Sequence, residues 1–357
     1  MISDMSEKRR LKEFEQCSEG MKACNDGQYE VAKDLWEKLS NEGNIVASID
    51  LARLHARSLV SAPDFDLAKK LFEEAGAQGM SEGFDELGLM HEFGTGTAVN
   101  FKEAFKFYHL SAKENVISGM FNTGRCCLQG IGVKKNVADA MIWLGKSAHA
   151  DHMQACFYMG TLYYVGQDIE QDLEMASNFY ERGATLGDSS CQFRLGIIYR
   201  DGTGRDQNLE QAFYLFWLSA NDNNPMGQYL LGCLHLHGQG VEQDFELARK
   251  KIELAAGQGL PDALLELGAI HGKGLGVPTD RAKSIEFYKK AAELGCEISN
   301  CNLGVIFANG DGVDQDIEIG VRYLTKAAAL GSEEAKKMLL EAKVRHGIET
   351  PETPTLQ

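Results

Sequence analysis

Apolar residues along this chain recur at helical spacing (i, i+3, i+4, i+7) in short segments, each separated from the next by a polar stretch that carries glycine. "ACFYMGTLYY" from Ala155 and "CQFRLGIIY" from Cys191 are two such segments, and the pattern predicts a helix over each. The segments are copies of one another. A glycine stands inside the first helix of each copy at Gly88, Gly124, Gly160, Gly196, Gly232, Gly268 and Gly304, always 36 residues apart. A second glycine column runs Gly94, Gly130, Gly166, Gly202, Gly238, Gly274, Gly310, and an alanine column runs Ala112, Ala148, Ala184, Ala220, Ala256, Ala292, Ala328. Self-similarity at a fixed period of this size marks a repeat protein, in which each unit is one supersecondary element.

Each column carries a physical expectation. Glycine within a helix costs roughly 0.5–1 kcal/mol against alanine, so its recurrence predicts close approach of a neighbouring helix. The glycine six residues later ends that helix in a left-handed residue. Asn100, Asn136, Asp172, Asn208, Asp244, Asp280 and Asp316 follow as N-caps of a second helix. That second helix closes at Gly187, Gly259, Gly295 and Gly331, or at Asn115, Asp151 and Asn223 in the same column. The unit is therefore helix, Gly-x-Gly turn, capped helix and short link. Stepping back by one period, Ala47, Ala52, Asp64, Ala68 and Gly79 keep their columns.

The domain plan that follows is an N-terminal leader and helix pair over 1–43, eight units over 44–331, a terminal capping helix over 332–347, and a disordered tail over 348–357. Gly20, Gly27, Tyr29, Ala32 and Trp36 have the tighter spacing of a tetratricopeptide hairpin. The fold class is all-α, a solenoid of stacked helix pairs.

The units share the pattern A-x-aromatic-x-L-G-x-x-aromatic-x-x-G-x-G-V-x-x-D-x-x-x-A-x-x-aromatic-x-x-A-A-x-x-G. It resembles the Sel-1-like repeat family, relatives of tetratricopeptide repeats with a longer turn, and "ALLELGAIHGKGLGVPTDRAKSIEFYKKAAELG" at 263–295 matches closely. The resemblance implies a right-handed, curved α–α superhelix whose first helices line its inner surface. It further implies an adaptor or scaffold that holds protein partners; some bacterial members act in contact with host cells. One cysteine-rich branch carries a disulfide in each repeat and is associated with β-lactam binding. Here Cys191, Cys233 and Cys301 lie on first helices, but no second helix supplies a partner cysteine.

Charge and candidate chemistry narrow the picture. Lys plus Arg number 36 against 52 Asp plus Glu, a net charge of −16, which repels phosphate backbones and argues against nucleic-acid binding. No window approaches a membrane span and the start lacks a signal-peptide core, so no membrane insertion and a cytoplasmic location are expected. The nine cysteines are an odd number without framework spacing and read as reduced thiols.

Several stretches look chemical but fall into the repeat register. In "CLHLHGQGVEQD" (233–244) the glycines are the turn, Asp244 is the N-cap, and only Cys233 and His237 share a helix face, too few for zinc. "GKGLGVP" at 272–278 follows a helix, not the strand a dinucleotide loop needs. "NGDGVDQDIE" at 309–318 has Asp314 where an EF-hand loop needs glycine. No nucleophile elbow occurs, and the adjacent Cys126 and Cys127 read as buried fillers. No enzymatic activity, metal or cofactor is expected.

What remains is partner binding, on first-helix positions that vary between units. They are Phe121, Phe157, Phe193 and Tyr229 in one column, Arg125 in the next, Tyr164 and Arg200 in a third, and His237 beside the turn. Aromatics with arginine have the composition of interface anchors. The aromatic column is also the usual residue of the family, so packing between units is the favoured reading for it, and the arginines and Tyr164 are the stronger candidates. The leading expectation is a scaffold for a peptide or protein segment on the concave face; a β-lactam hydrolase and a host-directed effector on the same scaffold are the alternatives. The sequence leaves the oligomeric state open.

Overall fold

The computed structural model describes residues 10–346, and among them there are helices and turns but no strand. The expectations for the tail at 348–357 and for residues 1–9 of the leader lie outside the described residues. After a helical segment at 10–16, α1 (Ser18–Asn25) and α2 (Tyr29–Asn41) form the N-terminal hairpin. The first helices of the following repeats are α3 (Ile45–Ala56), α5 (Glu82–Phe93), α7 (Ile117–Gln129), α9 (Met153–Val165), α11 (Ser189–Asp201), α13 (Pro225–His237), α15 (Pro261–Lys273) and α17 (Glu297–Asn309). Their second helices are α4 (Phe65–Ala77), α6 (Phe101–Lys113), α8 (Val137–His149), α10 (Leu173–Thr185), α12 (Leu209–Asn221), α14 (Phe245–Gly257), α16 (Arg281–Glu293) and α18 (Ile317–Ala329). A last helix, α19 (Glu333–His346), packs on α18. The chain divides after Leu186 into two compact units. Within each, helices pack on their sequence neighbours.

The glycine column does what its cost implies. A methyl group at Gly160 would sit 2.6 Å from Cδ1 and Cε1 of Tyr180 on α10. The same construction at Gly124, Gly196, Gly232 and Gly304 meets Leu144, Phe216, Ile252 and Leu324, and at Gly88 and Gly268 it meets Tyr108 and Tyr288. Every one of these second-helix side chains is buried. Burying such a side chain is worth about 1.5–3 kcal/mol, more than the helix loses by carrying glycine.

The turn is equally regular. Gly238 takes φ 64° at the end of α13, and its N–H is donated to the Leu234 carbonyl. The N–H of Asp244 then donates to the His235 carbonyl at 3.0 Å, and the Asp244 carboxylate accepts from the Leu247 N–H at 2.9 Å, opening α14. All seven expected N-cap side chains accept in this way. One column went unread in the sequence: Gln171, Gln207, Gln243 and Gln315, just before the N-cap, each donate a side-chain amide to a last-turn carbonyl at 2.7–2.8 Å. These bonds satisfy acceptors that a helix end otherwise leaves open.

Alanine in place of Gly160 tests the glycine contact. Propensity alone would stabilise α9 by about 0.8–1 kcal/mol, whereas overpacking against Tyr180 costs about 1–3 kcal/mol. Gly160→Ala is therefore expected to lower the urea midpoint, and a raised midpoint would contradict the contact.

Candidate partner-binding faces

Of the eight candidate residues, Phe121, Arg125, Phe157 and Tyr164 lie in the first unit and Phe193, Arg200, Tyr229 and His237 in the second. Each unit is a site to itself. The structure separates the residues that hold repeats together from those that face outward.

Phe121 and Phe193 are buried. The Phe121 ring stacks on His152 of the following repeat at 4.6 Å and meets Tyr158 edge-on at 5.6 Å. Phe193 belongs to an apolar cluster with Phe216 and Leu230. These two aromatics are packed within the units.

Arg125 is engaged as well. Its Nη2 donates to Glu92 Oε2 at 2.6 Å, and the same oxygen accepts from the Tyr108 hydroxyl, also at 2.6 Å. Glu92 is buried, yet its carboxyl is held below the ordinary range because the hydrogen bonds from Arg125 and Tyr108 outweigh desolvation. The pair ties α5 to α7. Farther up the same unit, Arg53 Nε donates to Glu86 at 2.6 Å and the Asn122 amide donates to buried Asp85 at 2.9 Å. The positions of Asp85, Glu92 and Arg125 are apolar in most repeats, and in this unit they join a ladder of largely buried polar contacts.

Phe157 and Tyr164 are half-buried. Phe157 lines a 320 Å³ cavity between the C-terminal ends of α7 and α9, with Leu128, Tyr158, Thr161, Leu162 and Val165 as walls. Lys135 and Asp168 sit at its mouth and bridge each other at 3.0 Å. Val165 is 55% exposed, so the cavity opens outward across an apolar lip.

In the second unit Arg200 is bound by its neighbour Asp201, through Nε at 2.7 Å and Nη2 at 3.0 Å. Tyr229 and Cys233 share a hydrogen bond, and burial pushes the Cys233 thiol up to about 12. His237 is exposed. Arg194, which the sequence did not single out, occupies the column of Asn122 and Tyr158; its guanidinium lies 5.2 Å over the Phe193 ring and, among the described residues, no carboxylate pairs with it. Its only sequence signal is a cation in a column that elsewhere holds Asp50, Glu86, Asn122, Tyr158, Leu230, Glu266 and Asn302.

All nine cysteines are separate thiols, and burial pushes Cys17 and Cys126 up to about 12, far from the thiolate a nucleophile needs. Gly274 and Gly276 have positive φ in a turn between two helices. Among the described residues no three His, Cys, Asp or Glu side chains gather to hold a metal ion, and no helix is long and apolar enough to cross a membrane.

Two outcomes follow from this geometry. Removing Glu92 alone (Glu92→Leu) leaves the Arg125 guanidinium uncompensated and is expected to cost about 3 kcal/mol, whereas Glu92→Leu/Arg125→Met should cost clearly less; equal losses in urea unfolding would show that the two side chains are not coupled. His271 stacks on Phe287 at 5.5 Å, its Nε2 is buried without a hydrogen-bond partner, and desolvation lowers its pKa. A lowered folded pKa means that the unfolded chain takes up protons first, so stability falls as pH drops through the unfolded value near 6.5. Phe307 occupies the same column and stacks on Tyr323. His271→Phe should therefore raise the melting temperature, and by a larger margin at pH 5.5 than at pH 7.5; a margin independent of pH would refute the titration.

The Sel1 repeat family profile matches residues 45–80, 86–116, 117–152, 154–188, 189–224, 225–260, 261–296 and 298–332. No curated protein matches the chain. Among solved structures, a protective antigen of uropathogenic Escherichia coli with an SLR fold is 26% identical, with a TM-score of 0.72 over 89% of this chain and 68% of that one. A Sel1 repeat protein from Oxalobacter formigenes is 24% identical, with a TM-score of 0.63 over 86% of this chain and 89% of its own. Repeat proteins of this kind generally mediate protein–protein interactions and are generally non-catalytic. With eight matched repeats in register with the glycine and N-cap columns, the chain belongs to the Sel1 repeat family.

Proposed function

We propose that this protein is a non-enzymatic scaffold that holds an extended peptide or protein segment on the first-helix faces of its repeats. The observation that carries this reading is the 320 Å³ cavity walled by Leu128, Phe157, Tyr158, Thr161 and Val165. Its volume suits one or two apolar side chains, and its aromatic wall and polar mouth have the make-up of an anchor pocket. The Lys135–Asp168 bridge at the mouth offers both charge signs to a passing backbone or side chain.

Tyr164 extends this face along α9. In the second unit Tyr229 and His237 supply the corresponding contacts, and Arg194, unpaired among the described residues, is the cation best placed to meet a partner carboxylate. Arg200 contributes once Asp201 yields it. Phe121, Arg125 and Phe193 act as framework, since their side chains are consumed by packing or by Glu92. The acidic balance of the whole chain favours partners with basic surfaces around the apolar anchor.

Peptides selected from a random display library on the full chain provide the test, with affinities read by fluorescence anisotropy. Tyr158→Ala or Val165→Arg should weaken peptides held by the first unit at least tenfold, with Tyr164→Ala giving a smaller loss, and Arg194→Ala should weaken peptides held by the second unit, while thermal melting stays near that of the parent. Peptides whose affinity survives all four substitutions would sink the proposed face.

A further inference from the structure

A second and larger cavity, 620 Å³, lies at the N-terminal end of the first unit, where the helical segment 10–16 and α1 lean over α3 and the start of α5. Its volume falls within the range of ligand sites, about 300–1,000 Å³. It is built from chain that precedes the matched repeats as well as from the first of them.

The segment that roofs it is fastened from two sides. Arg10 Nη2 donates to the Gly79 carbonyl at 2.6 Å. Buried Asn44 donates its amide to the Glu13 carbonyl at 3.0 Å while its Oδ1 accepts the Ala47 N–H at 2.9 Å, so one residue caps α3 and holds the roof. These two bonds hold the segment against α3 and the turn after α4.

Its floor and lips are apolar. Trp36 and Ile49 are buried beneath, whereas Leu11 and Phe14 stand 60% and 55% exposed at the rim. Two large apolar side chains one helical turn apart, left in water beside a cavity, mark a surface meant to be covered. The lip runs along a helix, which suits an elongated occupant.

Charge decides which. Two arginines line the cavity and both are in use: Arg10 on the Gly79 carbonyl, and Arg53 on Glu86 at 2.6 Å and Asp50 at 3.1 Å. The two carboxylates in the wall are under-supplied. Asp50 has only the longer contact of an arginine shared with Glu86, and no ion pair reaches Glu82 among the described residues. Burial holds the Asp50 carboxyl above its ordinary range despite Arg53 and Arg57, and neighbouring Glu86 adds to the rise.

We infer that this cavity is a separate binding site for a polypeptide segment in which a lysine or arginine is flanked by apolar residues, the cation meeting Asp50 and Glu82 and the apolar side chains covering Leu11, Phe14 and the Trp36 floor. The site does not rest on the scaffold reading above, since it shares no residue with the smaller cavity.

A fluorescein-labelled peptide of alternating leucine and lysine is the probe, titrated against the full chain and read by anisotropy. Saturable binding is expected, weakened at least tenfold by Phe14→Ser, by Glu82→Gln and by Asp50→Asn, and unchanged by Val165→Arg in the other cavity. Phe14 is exposed, so its substitution leaves the fold intact even where Asp50→Asn disturbs the Arg53 network; melting curves report which has happened. Companion peptides with glutamate for lysine, or serine for leucine, should bind at least tenfold more weakly. Equal affinity for the glutamate peptide would reduce the binding to charge-blind apolar adhesion, and affinity indifferent to Phe14→Ser and Glu82→Gln would reduce it to general attraction to an acidic surface; either result would overturn the site.

Discussion

The close approach of each second helix to a glycine on its first helix is the constraint on which the repeats depend. The Tyr180 ring, or its counterpart Tyr108, Phe216 or Tyr288, lies where a β-carbon would otherwise be, so the helices can bury a large side chain between two backbones. Other features accommodate that approach. The left-handed glycine stops the first helix at once, and the N–H of the N-cap folds back on a carbonyl of the last turn, as Asp244 does on His235. The capping carboxylate or amide then starts the second helix at a fixed phase. A repeat with these parts presents the same first-helix positions each time, so repeats differ chiefly in the side chains those positions carry.

Variation at those positions has two physical outcomes. In the first unit, the Arg125–Glu92 and Arg53–Glu86 pairs and the Asn122–Asp85 hydrogen bond knit neighbouring first helices together. Buried ion pairs are weak sources of stability but costly to break, which makes them a means of fixing which repeat sits against which. The 320 Å³ cavity lies where this ladder gives way to Phe157, Tyr158 and Thr161, side chains that leave space between helices instead of filling it. At the N-terminal end the ladder meets a different kind of wall, the Leu11 and Phe14 lip over Trp36. Polar pairing and open apolar surface thus alternate along one row of helices.

The columns that require a backbone conformation, a cap or a close approach were legible in the sequence, because only a few residue types meet each demand. Gly160, Gly238 and Asp244 sit where the periodicity places them, as do the left-handed Asn115, Asp151 and Asn223 that replace glycine at second-helix ends. The glutamines before the N-caps were not legible, since glutamine has no fixed role until its amide is seen to reach a carbonyl seven residues back. The candidate face was only partly legible. Arg125 and Arg200 stand out as cations in a variable column, yet their carboxylates, Glu92 and Asp201, lie on a different repeat in one case and next door in the other.

What the sequence by itself determined is the unit: two helices, their boundaries, their caps, and the glycine that lets them touch. These are local demands of backbone geometry, repeated often enough to be read from spacing alone. The tertiary structure decided which variable side chains are spent on holding neighbours and which stay exposed. That outcome depends on pairings across a repeat, as between Glu92 and Arg125, or across the N-terminal hairpin, as between Asn44 and the Glu13 carbonyl. Coulomb and hydrogen-bond energies are set by distance in space, so separation along the chain does not reveal them.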